Sequence, residues 1–362
     1  MIIVVALVIV LCIAAIVFIQ QPKFGRAPRG KRLETIQRSP HYRDGAFCNL
    51  EATPVLTEGV NYFTAFKDYL FAKNRPSGSL PSTKTDLKSL NPSDNVLVWL
   101  GHSSYYLPID GKKILVDPVL CGSASPLAFT AHAFKGTDRY STDDIPAIDY
   151  LLMSHDHWDH LDYETLIKLK PRIGKVICGL GVGECLEYWG FDTDRVIEKD
   201  WGESVTIDSN FTVHIVPARH FSGRLFLRNK TLWVSFVLVT PSARIFLGGD
   251  CGYDSHFTEL GRTFGGFDLA VLPAGQYDRN WKYIHMTPEE ALQAAKDLRA
   301  RRLLPGHFAK FPLANHAWDE PLRRIAALSD YSEIPILTPR IGEKVDLNES
   351  NQRFTQWWEG IK

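Results

Sequence analysis

Four apolar, strand-like runs each stop at a side chain that can hold a metal ion: "YLLMSH" at His155, "HIVPARH" at His220, "RIFLGGD" at Asp250 and "RRLLPGH" at His307. Each end point lies 30 to 65 positions from the next. Neighbouring strands of a sheet run about 4.8 Å apart, so distant runs can meet only if their tips share one sheet edge. The chain is thereby constrained to a sheet architecture with its chemistry gathered at that edge.

The first end point opens the densest cluster, "HDHWDH" at 155–160, with the pattern H-x-H-x-D-H. In an extended segment positions i and i+2 point the same way. His155 and His157 are therefore placed to grip one ion, and Asp159 and His160, in the turn that follows, a second. Imidazole with carboxylate suits zinc, and also iron or manganese. No cysteine lies in the cluster, which argues against a closed structural zinc site. So many ionisable groups after an apolar strand would destabilise one another without a cation to organise them. Isolated histidines such as His214, His256 and His316 read as ordinary surface or hydrogen-bonded residues.

Residues 1–19, "MIIVVALVIVLCIAAIVFI", carry no charge, and a helix of that length spans roughly the 30 Å hydrocarbon core of a bilayer. A cleaved signal peptide would want a basic start and a small-residue cleavage site; no Lys or Arg precedes the run. The expectation is an uncleaved anchor over 1–20. Lys23, Arg26, Arg29, Lys31 and Arg32 follow it, which places the bulk of the chain on the cytoplasmic face of the cell membrane as a single-pass protein. These cations read either as a stop-transfer flank or as a patch resting on anionic headgroups. Residues 21–94 read as a basic juxtamembrane segment and lead-in, with a short aromatic helix in "GVNYFTAFKDYLFAKN" (59–74) and a loop over 75–95. Residues 95–345 form the main domain, where strands and helices mix and "DG" (110–111) marks a hairpin, and 346–362 a tail. The 41 basic and 41 acidic residues cancel, so no nucleic-acid partner is expected. The six cysteines are scattered without C-x-x-C pairing and read as free thiols.

H-x-H-x-D-H followed by a distant His, Asp and His resembles the metallo-β-lactamase fold superfamily. Residues from about 96 to 345 resemble, more narrowly, its N-acyl-phosphatidylethanolamine-hydrolysing phospholipase D branch, through "WLGHSS" (99–104), "SHDHWDHLDY" (154–163), "GGDCGY" (248–253), "FGGFDLAVLPAGQY" (264–277), "KYIHMTPEEA" (282–291) and "GHFAKFPLANHAWDEP" (306–321). The resemblance implies an α/β fold, an αββα sandwich with metals at one sheet edge. It implies two zinc ions, one held by His155, His157 and His220, the other by Asp159, His160 and His307, with Asp250 bridging both. It implies that His285 approaches the substrate phosphate. Pro288 and the following glutamates mark a helix start there, with Thr287 as its cap; the plainer reading of His285 is that it only shapes this turn.

Three further residues are candidates on position. His102 and Asp117, at the ends of the domain's first two strands, are placed to orient ligand imidazoles, against ordinary turn chemistry. Arg224, four residues after His220, is a candidate for binding phosphate, against a solvated loop arginine. The expected activity is hydrolysis of a phospholipid diester such as N-acyl-phosphatidylethanolamine to phosphatidic acid and N-acylethanolamine. Its rivals are a lactonase or esterase of the same superfamily and a membrane-tethered metal-binding protein without turnover. The loop "PLAFTAHAF" (126–134) reads as a membrane contact or a packed lid. Oligomeric state is open, with a homodimer among the forms.

Overall fold

Along Val96–Gly101, Leu97 and Trp99 pack into one apolar cluster while Val96, Val98 and Leu100 pack into another. The same split separates Leu152 and Ile177 from Leu151, Met153 and Cys178. Alternate side chains of a strand leave opposite faces, so this sheet is covered on both sides, as its almost continuous apolar strands require. The computed structural model describes residues 1–362 except 128, 225, 226, 330 and 362.

The sheet has seven strands, in spatial order Lys344–Asp346, Val96–Gly101, Ser104–Ile109, Lys112–Val116, Ile148–Met153, Ile173–Gly179 and Val196–Lys199. A second sheet has six, in the order Leu303–Gly306, Leu269–Pro273, Arg244–Leu247, Ser235–Val239, Phe211–Val216 and Ser204–Asp208. The larger apolar cluster fills the space between them, with Trp99 and Val116 from one sheet and Val213, Phe236 and Phe246 from the other. Helices in chain order are α1 (Ile2–Ile19), α2 (Gly30–Gln37), α3 (Tyr62–Leu70), α4 (Tyr163–Leu169), α5 (Gly183–Tyr188), α6 (His256–Phe264), α7 (Pro288–Asp297) and α8 (Glu320–Ser329). Leu166 and Leu169 of α4 and Leu186 of α5 cover the outer face of the seven-stranded sheet. Phe257 of α6, Leu292 of α7 and Ile325 of α8 join the cluster on the six-stranded side. The result is the expected αββα sandwich.

The "DG" turn is a two-residue hairpin between Ser104–Ile109 and Lys112–Val116, with φ of 45° at Asp110 and 80° at Gly111; both central residues take positive φ, as a type I′ turn demands. Thr287 caps α7 in a reciprocal box with Glu290, and Pro288 is its first residue.

Direction decides where the site lies. Lys112–Val116 and Ile148–Met153 are parallel, as are Arg244–Leu247, Leu269–Pro273 and Leu303–Gly306. Phe211–Val216 is antiparallel to Ser235–Val239, which is antiparallel to Arg244–Leu247, so it too points the same way. Asp117, His155, His220, Asp250 and His307 therefore all follow carboxyl ends of strands, the edge at which α/β sheets place their ligands.

Residues 21–94 are folded onto the sandwich. Lys23 Nζ donates to Pro126 O at 2.7 Å. Arg26 Nε meets Glu184 Oε1 at 2.5 Å, and Arg32 reaches Glu184 at 2.7 Å, Glu187 at 2.5 Å and Glu198 at 2.6 Å. Arg26 and Arg32 thus neutralise carboxylates on and beside α5, which corrects the reading of these two as free headgroup-binding charges. Thr57 N–H donates to Asn280 O at 2.8 Å. At the other end Trp357 and Trp358 are buried in the main cluster, so the tail packs with the domain through these side chains. All six cysteines are free thiols.

Candidate metal centre

The ligand set divides into two groups around one carboxylate. Potential ligand atoms of His155, His157, His220 and Asp250 lie within 4.8 Å of one another, and so do those of His102, Asp159, His160 and His307. Asp250 faces both. Its Oδ2 is 3.7 Å from His155 Nε2 and 3.6 Å from His220 Nε2, while its Oδ1 is 3.1 Å from His160 Nε2 and 3.0 Å from His307 Nδ1. This is the arrangement a bridging ligand needs. His102 joins the second group through Nε2, 2.8 Å from Asp159 Oδ2.

Hydrogen bonds behind the imidazoles set which nitrogen faces the centre. His220 Nδ1 donates to Ile284 O at 3.0 Å, which turns Nε2 toward the centre, 3.2 Å from His157 Nδ1. Asp117 Oδ2 lies 2.8 Å from His160 Nδ1 and accepts from the Ser154 hydroxyl, which in turn faces His155 Nδ1 at 2.9 Å. Asp117 Oδ1 also accepts from Ser154 N–H at 2.8 Å. One buried carboxylate thus aims two ligand imidazoles, one in each group. Ser103 Oγ stands 2.9 Å from His307 Nδ1. The backbone is bent to suit: φ is 53° at His102, 39° at Asp117 and 64° at His307, a region non-glycine residues occupy only where the surroundings enforce it. Gly249 lets the Asp250 loop approach, since a Cβ there would stand 2.7 Å from Val234 O and 2.8 Å from Ser154 Cβ.

Electrostatics favour a cation. Burial pulls the imidazoles of His155, His220 and His307 well below the ordinary range, reinforced by neighbouring imidazoles, so they present lone pairs. Burial also lowers His160, but Asp250 and Asp159 outweigh it and hold its imidazole well above the usual value. Burial pushes the Asp250 carboxyl up to about 6. His160 Nε2 and Asp250 Oδ1 are buried and face each other at 3.1 Å without the alignment of a hydrogen bond, and neither has another partner among the described residues. Converging imidazole nitrogens and carboxylate oxygens that leave one another unsatisfied fit a divalent metal.

A cavity of about 390 Å³ opens over the centre. His157, Asp159, His220, Asp250 and His307 form its polar floor, with His285 beside them. His285 stacks on His307 at 5.0 Å between ring centroids, and its buried Nδ1 has no hydrogen-bond partner among the described residues. The walls are Phe221, Trp281, Ile284 and Leu313 together with Val55, Leu56, Tyr62 and Ala65. Those last four come from the lead-in segment, which carried no ligand-type motif.

Arg224 is not in the cavity, which corrects its reading as a phosphate ligand. It is almost fully buried. Its guanidinium lies 3.8 Å over the Trp158 ring and donates to Asp156 O at 2.9 Å, Leu161 O at 2.8 Å and Lys23 O at 2.7 Å. It ties the ligand loop to the residues that follow α1. The cavity-lining cation is Arg228, exposed, 4.6 Å over the Phe221 ring and donating to Tyr62 Oη at 3.0 Å. Nothing local in the sequence distinguishes Arg228 from Arg224; the antiparallel pairing of Gly223–Arg224 with Leu227–Arg228 points one inward and the other out.

A family profile described as a beta-lactamase superfamily domain matches residues 112–308. An uncharacterized protein of Mycobacterium tuberculosis is 37% identical over 329 residues, 89% of this chain and 88% of its own length. The N-acyl-phosphatidylethanolamine-hydrolyzing phospholipase D 1 of Caenorhabditis elegans is 32% identical over 286 residues, 70% of this chain and 79% of its own. Among solved structures, the metallo hydrolase Igni18 of Ignicoccus hospitalis shares the fold at a TM-score of 0.53 and 21% identity, covering 69% of this chain and 97% of that one. With this profile, these relatives and a His/Asp centre at the sheet edge, the chain belongs to the metallo-β-lactamase superfamily as a metal-dependent hydrolase of the branch that resembles the N-acyl-phosphatidylethanolamine-hydrolysing phospholipases D.

Proposed function

We propose that the protein is a membrane-anchored phosphodiesterase of phospholipase D type, holding two zinc ions and cleaving N-acyl-phosphatidylethanolamine-like lipids. The observation that carries this reading is the cavity, whose floor is a two-group ligand set centred on Asp250 and whose walls are apolar. A diester phosphate suits the floor, and acyl chain suits the walls. The name of the C. elegans relative supports the same substrate class. The apolar α1, 18 residues long and with no buried residue, supports an anchor that keeps the site beside its lipid; the orientation proposed for the domain is cytoplasmic.

His155, His157 and His220 would hold one ion and Asp159, His160 and His307 the other, with Asp250 between them. Bound there, the metals supply Lewis-acid charge and lower the pKa of water to about 7. Asp117 and Ser154 hold the His155 and His160 rings in place, so the floor is preorganised before substrate enters. His102 stands behind Asp159 and steadies its carboxylate. Burial keeps His285 neutral, so it offers one N–H to a phosphoryl oxygen and one acceptor nitrogen. Arg228, propped by Tyr62 and Phe221, stands at the wall to meet negative charge. Water adds its oxygen to phosphorus, the bond to the ethanolamine oxygen breaks, and that oxygen takes a proton. Phosphatidic acid and N-acylethanolamine are the products.

The test is product analysis after incubating the purified protein with a mixed phospholipid extract, beside Asp250→Asn. Phosphatidic acid and N-acylethanolamine are expected from the intact protein and not from the variant. Hydrolysis of sugar lactones or carboxylic esters with no phosphatidic acid would favour the lactonase reading. No turnover of any substrate would favour a tethered metal-binding protein.

A further inference from the structure

After α1, ten large apolar or aromatic side chains are exposed among the described residues, and five of them fall within 62–71. Four of these are the outward face of α3 and its end: Phe63, Phe66 and Leu70 at the i, i+3, i+7 spacing of one helix face, with Phe71 just beyond; the fifth, Tyr62, sits at the helix start on the cavity side. Phe63 is 77% exposed and Phe71 78%. The opposite face is engaged. Ala65 is buried and lines the cavity, Tyr69 donates to Pro312 O at 3.0 Å, and Tyr62 accepts from Arg228. A helix that only closed the cavity would present polar residues outward.

We infer that the outer face of α3 is a docking surface for an anionic phospholipid bilayer, which seats the mouth of the metal cavity at the lipid interface. Charge on this surface fits that occupant. Exposed Lys67, Lys73 and Arg75 rim the apolar face, and the nearest acid, Asp68, is already paired with Arg279 at 2.9 Å. Aromatic side chains framed by cations are the composition of a helix lying in a bilayer interface. A second copy of the chain on this face would bring like charges together across a twofold contact.

Position fits as well. The paired strands Gly223–Arg224 and Leu227–Arg228 join the two membrane-facing parts: Arg224 holds the carbonyl of Lys23, four residues past α1, and Arg228 holds Tyr62 of α3. Exposed Leu127 and Phe129 follow Pro126, whose carbonyl Lys23 grips. The apolar loop singled out in the sequence thus lies at the foot of α1, although Ala128 within it is outside the described residues. The inference rests on the lipid-substrate reading for its purpose, but its physical test does not depend on turnover.

The test uses the full chain in proteoliposomes of phosphatidylcholine with and without phosphatidylglycerol. Phe63→Cys, in a background with Cys12, Cys48 and Cys121 changed to Ser, carries an NBD label; Tyr331→Cys is the control. Quenching by nitroxide lipids is expected to be several-fold stronger at 63 than at 331, and stronger still with phosphatidylglycerol. Equal access of aqueous iodide to both positions would overturn the inference. So would a label at 63 shielded from both quenchers but self-quenching between chains, which would mark a contact with a second copy. In parallel, Phe63→Ser/Phe66→Ser/Phe71→Ser should lose several-fold of its turnover of vesicle lipid and keep its turnover of a water-soluble short-chain diester. Equal turnover of vesicle lipid by variant and parent overturns docking. Failure of the parent on both substrates overturns the proposed reaction instead, and the quenching result still decides docking.

Discussion

Asn49 and the backbone of His220 exchange two hydrogen bonds: Asn49 Nδ2 donates to His220 O at 2.7 Å, and His220 N–H donates to Asn49 Oδ1 at 3.1 Å. The same Oδ1 also accepts from Trp233 Nε1 at 3.0 Å. A residue 171 positions away thereby fixes the main chain of a candidate ligand. Asn49→Ala leaves a backbone donor and acceptor without partners, at a cost of roughly 1–3 kcal/mol. We expect weaker metal binding in a chelator competition, with the circular dichroism spectrum retained.

Asp117 holds imidazoles of both groups without touching the cavity. Asp117→Asn keeps the size but donates from one end where the native carboxylate only accepts. Metal affinity or turnover should fall on the order of 10–100-fold. Parent-like values for both would contradict the positioning role.

Arg224 and Arg228 should fail in different ways. Arg224→Ala strands the carbonyls of Lys23, Asp156 and Leu161 and should cost on the order of 3 kcal/mol in stability, seen as a lower Tm at unchanged KM for the fraction that folds. Arg228→Ala should leave Tm unchanged and raise KM for an anionic diester more than for a neutral ester. A reversal of the two patterns would restore Arg224 as the phosphate ligand.

Much of this centre is legible in the sequence because each ligand ends a strand. Strand direction is written in the apolar runs, and H-x-H-x-D-H, His220, Asp250 and His307 inherit their convergence from it. His102 and Asp117 are readable for the same reason, at the ends of Val96–Gly101 and Lys112–Val116. The helix within 59–74 is legible as well, from its aromatic spacing; its bounds, Tyr62–Leu70, and its Asn61 cap come from the structure. What the sequence hides is how loops and the N-terminal segment pack. No periodicity tells that Val55, Leu56 and Tyr62 wall the cavity or that Asn49 braces His220, since these are contacts between residues far apart in the chain. Arg26 and Arg32 look like headgroup cations until Glu184, Glu187 and Glu198 are seen opposite them.

Acid should weaken the centre in a defined direction. Burial raises the Asp250 carboxyl from 3.8 to about 6 in the metal-free protein. Between those values the folded state binds more protons than the unfolded chain, so this group's stabilisation is present at low pH and is lost as pH rises through about 6. A metal needs the carboxylate ionised and displaces that proton. The gain in Tm on adding zinc to metal-free protein should therefore be small at pH 5 and larger at pH 7.5. A gain that shrinks as pH rises would contradict the assignment of Asp250 as a ligand.

The central claim is that Asp250 joins two metal sites in one centre, and metal content measures it most directly. Elemental analysis of the purified full chain should give two ions per chain, and Asp250→Asn should retain fewer, with turnover lost. One ion or none in the parent, or an Asp250→Asn variant that keeps two ions and full turnover, would contradict it.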